Sequence, residues 1–254
     1  MSDPEVQSVA TPGGAGLSQL QRISNMFLEP SKTFEDIKLG NKSWWLPFLL
    51  FVVIGTGLWA SVTVKVGWDQ VAANSIQMSP KQAERIEALT PEQQATQKRI
   101  SAIAQKWIWA LAPVGVVLMN LIAAAILLGT INFGFGGRAT FGNIFAVSWY
   151  AGLPGLIKLG LGAAGLWAGL APEAFLPQNP AGTNLGFYLT PPDISIGLWS
   201  LYSAFDILTI WTLVLFSIGL AKVAGTKTSI GFYAVFGWWV FSLLIGVGMA
   251  AINS

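Results

Sequence analysis

The chain contains 254 residues, of which 53% are hydrophobic and only 10% are charged, and its formal net charge at pH 7 is +2. Soluble domains carry about 25% charged residues, so this composition predicts an integral membrane protein. The small net charge does not indicate a nucleic-acid partner. Because the sequence has no His and no Cys, it excludes a thiol nucleophile, a histidine base and the usual zinc sites. We expect no cofactor and no metal.

The N-terminal region is polar and divides into two parts. Residues 1–16 are small and polar and contain Gly and Pro, which predicts a disordered tail. Residues 17–43 carry apolar side chains at helical spacing with a break at Pro30, which predicts two short amphipathic helices. These helices are too polar to cross a membrane. They either lie on the cytoplasmic membrane surface or pack against the protein and cover the inner mouth of the bundle.

Five apolar segments follow, each at least as long as the roughly 20 residues that suffice to cross a bilayer. They show no alternation of apolar and polar residues, so residues 44–254 are predicted to form an all-α, five-span membrane domain. Pro154 predicts a kink within the third segment. The segments are residues 44–64, 107–131, 141–170, 196–221 and 230–252.

Two connections between the spans differ in composition. The connection between spans one and two contains Ser79-Pro80 and Thr90-Pro91, and a hydroxyl followed by proline is typical of a helix start. It predicts two polar helices, of which the second can continue into span two. The link between spans three and four has five Pro and no Lys or Arg, which predicts an ordered, partly apolar surface loop.

The distribution of Lys and Arg indicates how the chain is oriented. With the N-terminus in the cytoplasm, seven basic residues face inside and six face outside, all six on the long connection between spans one and two. Long loops contribute less to the positive-inside rule. We therefore expect the N-terminus in the cytoplasm and the C-terminus on the opposite side.

Two charged residues lie inside predicted spans: Lys158 in the third and Asp206 in the fourth. A charge in the bilayer costs several kcal/mol or more unless it faces protein or water or meets an opposite charge. Both residues lie near the middle of antiparallel spans, so we predict that they contact each other. The pair could serve an ion or proton pathway, or it could be a structural ion pair that fixes the register of the two spans. Asn120, Asn132 and Tyr202 are candidate hydrogen-bond partners, although bonds between other helices would explain them equally well.

Gly165 and Gly169 have the four-residue spacing of close helix contacts in membranes. They predict either a homodimer face or packing within the bundle. No base accompanies a Ser or Thr hydroxyl in a recognisable motif, and no carboxylates within the spans have metal-ligand spacing. We therefore expect no enzymatic activity.

Several short sequences occur in an order that resembles a known family. They are FLEPSKTFEDI at residues 27–37, WWLP at 44–47, GGRATF at 136–141, AGLP at 151–154, FDILTIW at 205–211 and IGLA at 218–221. This order, over roughly residues 20–252, resembles bacterial members of the Yip family of five-span integral membrane proteins.

The resemblance implies a protein of the bacterial inner membrane, so the orientation expected from the Lys and Arg distribution places the C-terminus in the periplasm. Eukaryotic relatives bind Rab GTPases, but their cytoplasmic Tyr-Gly-Pro-type motif is absent here, so Rab binding is not expected. Some bacterial relatives resemble accessory subunits of ABC-type exporters. The predicted function is an accessory or scaffold protein that shapes membranes or binds membrane proteins, with ABC-type exporter subunits and a second copy of the chain as candidate partners. The alternative is a transporter or channel for an ion or small amphiphile, which would need a wet path to Lys158 and Asp206.

Overall fold

The computed structural model describes residues 16–189 and 194–252, and within them the regular structure is entirely helical. Nearly all of the predicted disordered tail, residues 1–15, lies outside the described residues. Five helices are long and apolar enough to cross a membrane, which confirms the predicted all-α, five-span fold. These are Trp45–Lys65, Ala112–Gly134, Phe141–Trp167, Ile207–Ala224 and Thr228–Ala250.

The two N-terminal helices form a hairpin that packs on the bundle. Helix α1 spans Gln19–Leu28 and α2 spans Pro30–Lys38. Phe34 and Ile37 are fully buried, and α2 lies against spans three and four. The hairpin therefore packs against the protein, and its contact with the membrane surface stays a prediction. The opposite face of the hairpin leaves Leu28 78% exposed.

The first span and the connection after it contain four helices before span two. They are α3 at Trp45–Lys65, α4 at Trp68–Gln77, α5 at Pro80–Glu87 and α6 at Pro91–Ala110. Helices α5 and α6 begin where the Ser-Pro and Thr-Pro pairs predict, whereas α4 was not predicted.

Span two begins later than the predicted residue 107. Helix α7 spans Ala112–Gly129 and continues as a π-helix over Thr130–Gly134. Leu111 separates it from α6, so the two helices are not continuous. Pro113 explains the boundary, because proline lacks an N–H and fits the first turn of a new helix.

Span three is the central element of the bundle. It consists of α8 at Phe141–Ala151 and α9 at Leu153–Trp167, separated at Gly152. The kink predicted at Pro154 is observed as a break at Gly152, two residues earlier, and the proline lies in the first turn of α9. In its most apolar window 61% of the residues are buried, against 17% for spans two and five.

The fourth predicted segment, 196–221, is also interrupted. Its two parts are α10 at Ile196–Ala204 and α11 at Ile207–Ala224, and the break falls at Phe205–Asp206. The prediction of one continuous helix was wrong, because Asp206 ends one helix and caps the next.

Both parts of the fourth segment run beside α12, which spans Thr228–Ile252. The aromatic ring of Phe205 packs against Trp239 with centroids 5.4 Å apart, and α11 packs closely against α12 around Gly231. A Cβ added at Gly197, near the start of α10, would lie 4.0 Å from Val247. Successive residues of α10 and α11 thus contact successively earlier residues of α12, so the two helices run in the same direction, antiparallel to α12. They therefore follow one another along one crossing. The break therefore lies well inside it.

Candidate functional site

The predicted contact between Lys158 and Asp206 is present. Lys158 Nζ on α9 lies 3.1 Å from Asp206 Oδ2 at the break in the fourth crossing. The Asp206 side chain is fully buried, whereas 18% of the Lys158 side chain is exposed. Because α9 packs against α11, the pair ties span three to span four.

The carboxylate of Asp206 also starts helix α11. Its Oδ1 accepts hydrogen bonds from the backbone N–H groups of Leu208 and Thr209, each at 3.0 Å. This is the N-cap arrangement, which satisfies amide groups that have no partner within the helix. The positive end of the helix dipole adds a favourable interaction with the negative charge.

The other carboxylate oxygen is held by the link between spans three and four. Asp206 Oδ2 accepts from the Thr183 hydroxyl and from the Asn184 amide at 2.9 Å. Asn184 and Asn179 exchange two amide hydrogen bonds, at 2.9 and 2.7 Å. The backbone N–H of Ile207 bonds to Thr183 O at 3.2 Å. The link therefore reaches into the bundle as far as the break.

The prediction that this link is a surface loop was consequently wrong for much of its length. Phe175, Asn179 and Asn184 are all buried. Irregular backbone is tolerated at membrane depth only where protein or water supplies its hydrogen bonds. Here the side chains of the link and the interrupted helix satisfy each other.

The three other residues considered for this site do not bond to the pair in the described part of the chain. Asn120 donates to Val116 O in its own helix at 2.9 Å. Asn132 forms two bonds with the backbone of Ala139, at 2.9 and 3.0 Å, and holds the turn before span three. Tyr202 lies half-buried on α10. Short amide side chains often bond to nearby backbone, and the sequence does not distinguish that outcome from contact with a distant charge.

Gly165 and Gly169 do not mediate packing inside the bundle. A Cβ added at either position would meet nothing within 4 Å, and Gly169 has φ +105° after the end of α9. It terminates the helix in a conformation that favours glycine. Gly162 is the close contact instead, since a Cβ there would lie 2.8 Å from Pro180. A homodimer face at Gly165 and Gly169 remains a prediction.

A second buried polar cluster joins the N-terminal hairpin to span three. Arg22 is fully buried, and its Nε and Nη2 lie 2.6 and 2.5 Å from Asp36 Oδ2. The Tyr150 hydroxyl lies 2.6 Å from Gln19 Oε1 and 3.0 Å from Ser43 O. Arg22 Nη1 donates to Ser43 O at 3.2 Å. This cluster was not predicted from the sequence.

A signal for the cluster was nevertheless present in the helical spacing. Arg22 lies four residues before Met26, so both side chains lie on one face of α1. Asp36 lies three residues after Thr33 on α2, and Thr33 is also fully buried. A positive charge on the buried face of α1 and a negative charge on the buried face of α2 together indicate a buried ion pair.

A more exposed ion pair also fixes the hairpin. Lys222 Nζ at the end of α11 lies 2.7 Å from Glu35 Oε2, and both side chains are 41% exposed. The hydrogen bond from Lys222 holds the pKa of the Glu35 carboxyl below its usual range. This contact adds little to stability, because exposed pairs contribute about 1 kcal/mol or less.

Two cavities in the described part of the chain do not reach the intramembrane pair. One of about 260 Å³ lies among α3, the starts of α4 and α7, the end of α6, α9 and the link. Another of about 170 Å³ lies between α4, α5 and α6. Lys158 and Asp206 line neither. Within residues 16–189 and 194–252, no group of three or more acidic side chains could hold a metal ion.

The sequence matches one family model over most of its length. The model is described as Yip1 domain and matches residues 24–250. Comparisons with curated proteins and with solved structures gave no match. The extent of the family match and the five helices that can cross a membrane show that the chain belongs to the Yip1 domain family of membrane proteins.

Proposed function

We propose that the chain is a non-enzymatic accessory or scaffold protein that binds another membrane protein. The observation that carries this proposal is the state of the Asp206 carboxylate. It is fully buried and accepts from two backbone amides, two side chains of the link and Lys158. An ion or proton carried through the site would have to displace several of these donors at once.

The architectural role of the pair supports a scaffold. Lipid is as apolar as the side chains of the spans, so apolar burial does little to hold membrane helices together. A charge network that joins span three, span four and the link supplies a specific arrangement instead. Such a fixed arrangement suits a protein that presents a constant surface to a partner.

The proposed partner and orientation rest on the sequence. The family resemblance favours ABC-type exporter subunits in a bacterial inner membrane, and the free Gly165 and Gly169 positions leave a face for a second copy. We place the N-terminus in the cytoplasm and the C-terminus in the periplasm, because the basic residues of the short segments then lie inside.

Purification of the tagged chain from its native membrane in a mild detergent tests this proposal. We expect one membrane protein to co-purify at constant stoichiometry and to be cross-linked in intact membranes before solubilisation. The matched control is Leu244→Ala, on a lipid-facing part of α12, which should not change the yield of the complex. A chain that purifies alone and shows no cross-link in the membrane would contradict the proposal.

A transporter is the second candidate, and the interrupted fourth crossing favours it. Transporters often bind ions where a membrane helix is broken and backbone groups are free. Ion flux in vesicles that contain only the purified chain, abolished by Asp206→Asn, would establish this alternative and displace the scaffold.

A further inference from the structure

The larger cavity is apolar and has aromatic walls. Its volume is about 260 Å³, which exceeds the roughly 150 Å³ of an engineered apolar cavity that binds benzene. Its walls come from α3, the starts of α4 and α7, the end of α6, α9 and the link, so six separate parts of the chain line it. Its aromatic lining residues are Phe51, Trp59, Trp68, Trp109 and Phe175.

Two of the indoles direct their N–H groups to the protein rather than to the cavity. Trp59 Nε1 donates to Lys106 O at 3.3 Å. Trp68 Nε1 donates to Thr63 Oγ1 at 3.0 Å. These residues therefore offer ring surface rather than donors to an occupant. Specific binding of a polar solute requires placed donors and acceptors, so this lining favours hydrocarbon.

The cavity lies beside the lipid-facing surface of the bundle. Val53 on α3 and Val114 on α7 are exposed and apolar, and each is within two residues of a lining position. In a membrane protein such positions contact lipid chains. The hydrocarbon that surrounds the bundle is therefore available at the cavity.

We propose that this cavity binds a single alkyl chain of a membrane amphiphile. At about 30 Å³ for a group of the size of water or a methylene, it accommodates about nine such groups. The chain is shared by phospholipids and free fatty acids, and the test below distinguishes these two sources. The proposal concerns a different part of the molecule from the intramembrane pair and does not depend on the scaffold role.

Two glycines of span one provide a matched pair of variants. Gly55 lines the cavity, and a Cβ added there would meet nothing within 4 Å. Gly55→Leu should therefore fill the cavity without displacing its walls. Gly57 on the same helix is equally unobstructed but does not line the cavity, so Gly57→Leu is the control.

Photochemical labelling from vesicles gives the readout. The probes are phosphatidylcholine with a diazirine on one acyl chain and, separately, diazirine-labelled palmitate. Phe175 is only 1% exposed, whereas Leu244 on α12 is 66% exposed. Labelling at Leu244 reports bulk lipid, and the ratio of labelling at Phe175 to labelling at Leu244 reports a chain inside the cavity.

We expect Phe175 to be labelled in the unmodified protein and the ratio to fall at least threefold in Gly55→Leu. Gly57→Leu should leave the ratio unchanged. Ala112→Leu, which fills the cavity from the opposite wall, should act like Gly55→Leu and decides the question if that variant does not fold. Labelling by the phospholipid identifies a bilayer chain, and labelling by palmitate alone identifies a free amphiphile. Absence of label at Phe175 with both probes, or equal losses in Gly55→Leu and Gly57→Leu, would overturn the proposal.

Discussion

Removing one charge of the intramembrane pair should lower the free energy of unfolding about as much as removing both charges. Lys158→Met leaves the buried carboxylate of Asp206 without its counter-ion. Asp206→Asn leaves the ammonium group of Lys158 without an acceptor charge but retains an oxygen that can cap α11. Breaking a buried ion pair from one side costs about 3–5 kcal/mol.

The structure places each single change at the lower end of that range. After Lys158→Met, four donors still bond to the carboxylate. After Asp206→Asn, the lysine side chain, which is 18% exposed, can turn towards more polar surroundings. We therefore expect a loss of about 3 kcal/mol for each variant. Independent effects would sum to about 6 kcal/mol, whereas we expect the double variant to lose only about 3 kcal/mol.

Equilibrium unfolding in mixed micelles with an increasing fraction of a denaturing detergent measures these losses through tryptophan fluorescence. Each variant is compared with Asn120→Ala, which removes a bond within a single helix and should change the free energy of unfolding by about 1 kcal/mol. If the double variant loses the sum of the two single losses within about 0.5 kcal/mol, the residues do not interact energetically and the reasoning fails.

Three further predictions concern other parts of the bundle. Phe34→Glu should expose the hairpin to protease, because it places an unpaired charge in a fully buried position. Leu28→Glu, on the exposed face, should not increase cleavage. Equal cleavage of the two variants would refute the docked arrangement. Gly231→Ala should destabilise the protein by about 1–3 kcal/mol, because an added Cβ would collide with α11. Gly237→Ala, where the added Cβ has free space, should stabilise the protein by about 0.5–1 kcal/mol. Thermal unfolding in detergent distinguishes the two variants. A reporter enzyme that works only in the periplasm should be active when it is fused after Ser254. Activity there of a reporter that works only in the cytoplasm would reverse the proposed orientation.

The sequence was sufficient to predict the number of spans and the contact between the charges. Apolar length identifies a crossing almost independently of tertiary structure. Lys158 and Asp206 stand out because each interrupts a long apolar segment. Their antiparallel placement then limits where a partner of opposite sign can lie.

The break at Asp206 was harder to predict because no proline or glycine marks it. An N-cap contributes about 1 kcal/mol, which does not offset the backbone bonds lost when a membrane helix is interrupted. The break is stable here because Thr183 and Asn184, more than twenty residues earlier, complete the coordination of the carboxylate. A local pattern cannot show that a distant loop will enter the bundle.

Each of the two interrupted spans has a buried charge cluster close to its break. The cluster of Arg22 and Asp36 contacts Tyr150, two residues before the break at Gly152 in span three. The pair of Lys158 and Asp206 lies at the break in the fourth crossing. In each case a segment that does not cross the membrane, the N-terminal hairpin or the link, supplies polar groups close to the break. Withdrawal of the hairpin would remove the hydrogen bonds of the Tyr150 hydroxyl with Gln19 and Arg22. Withdrawal of the link would remove the Thr183 and Asn184 donors from the buried carboxylate of Asp206. The loss of a hydrogen bond by a buried polar group is unfavourable. Contact of the proposed partner with the hairpin or the link would therefore be coupled to the arrangement of spans three and four.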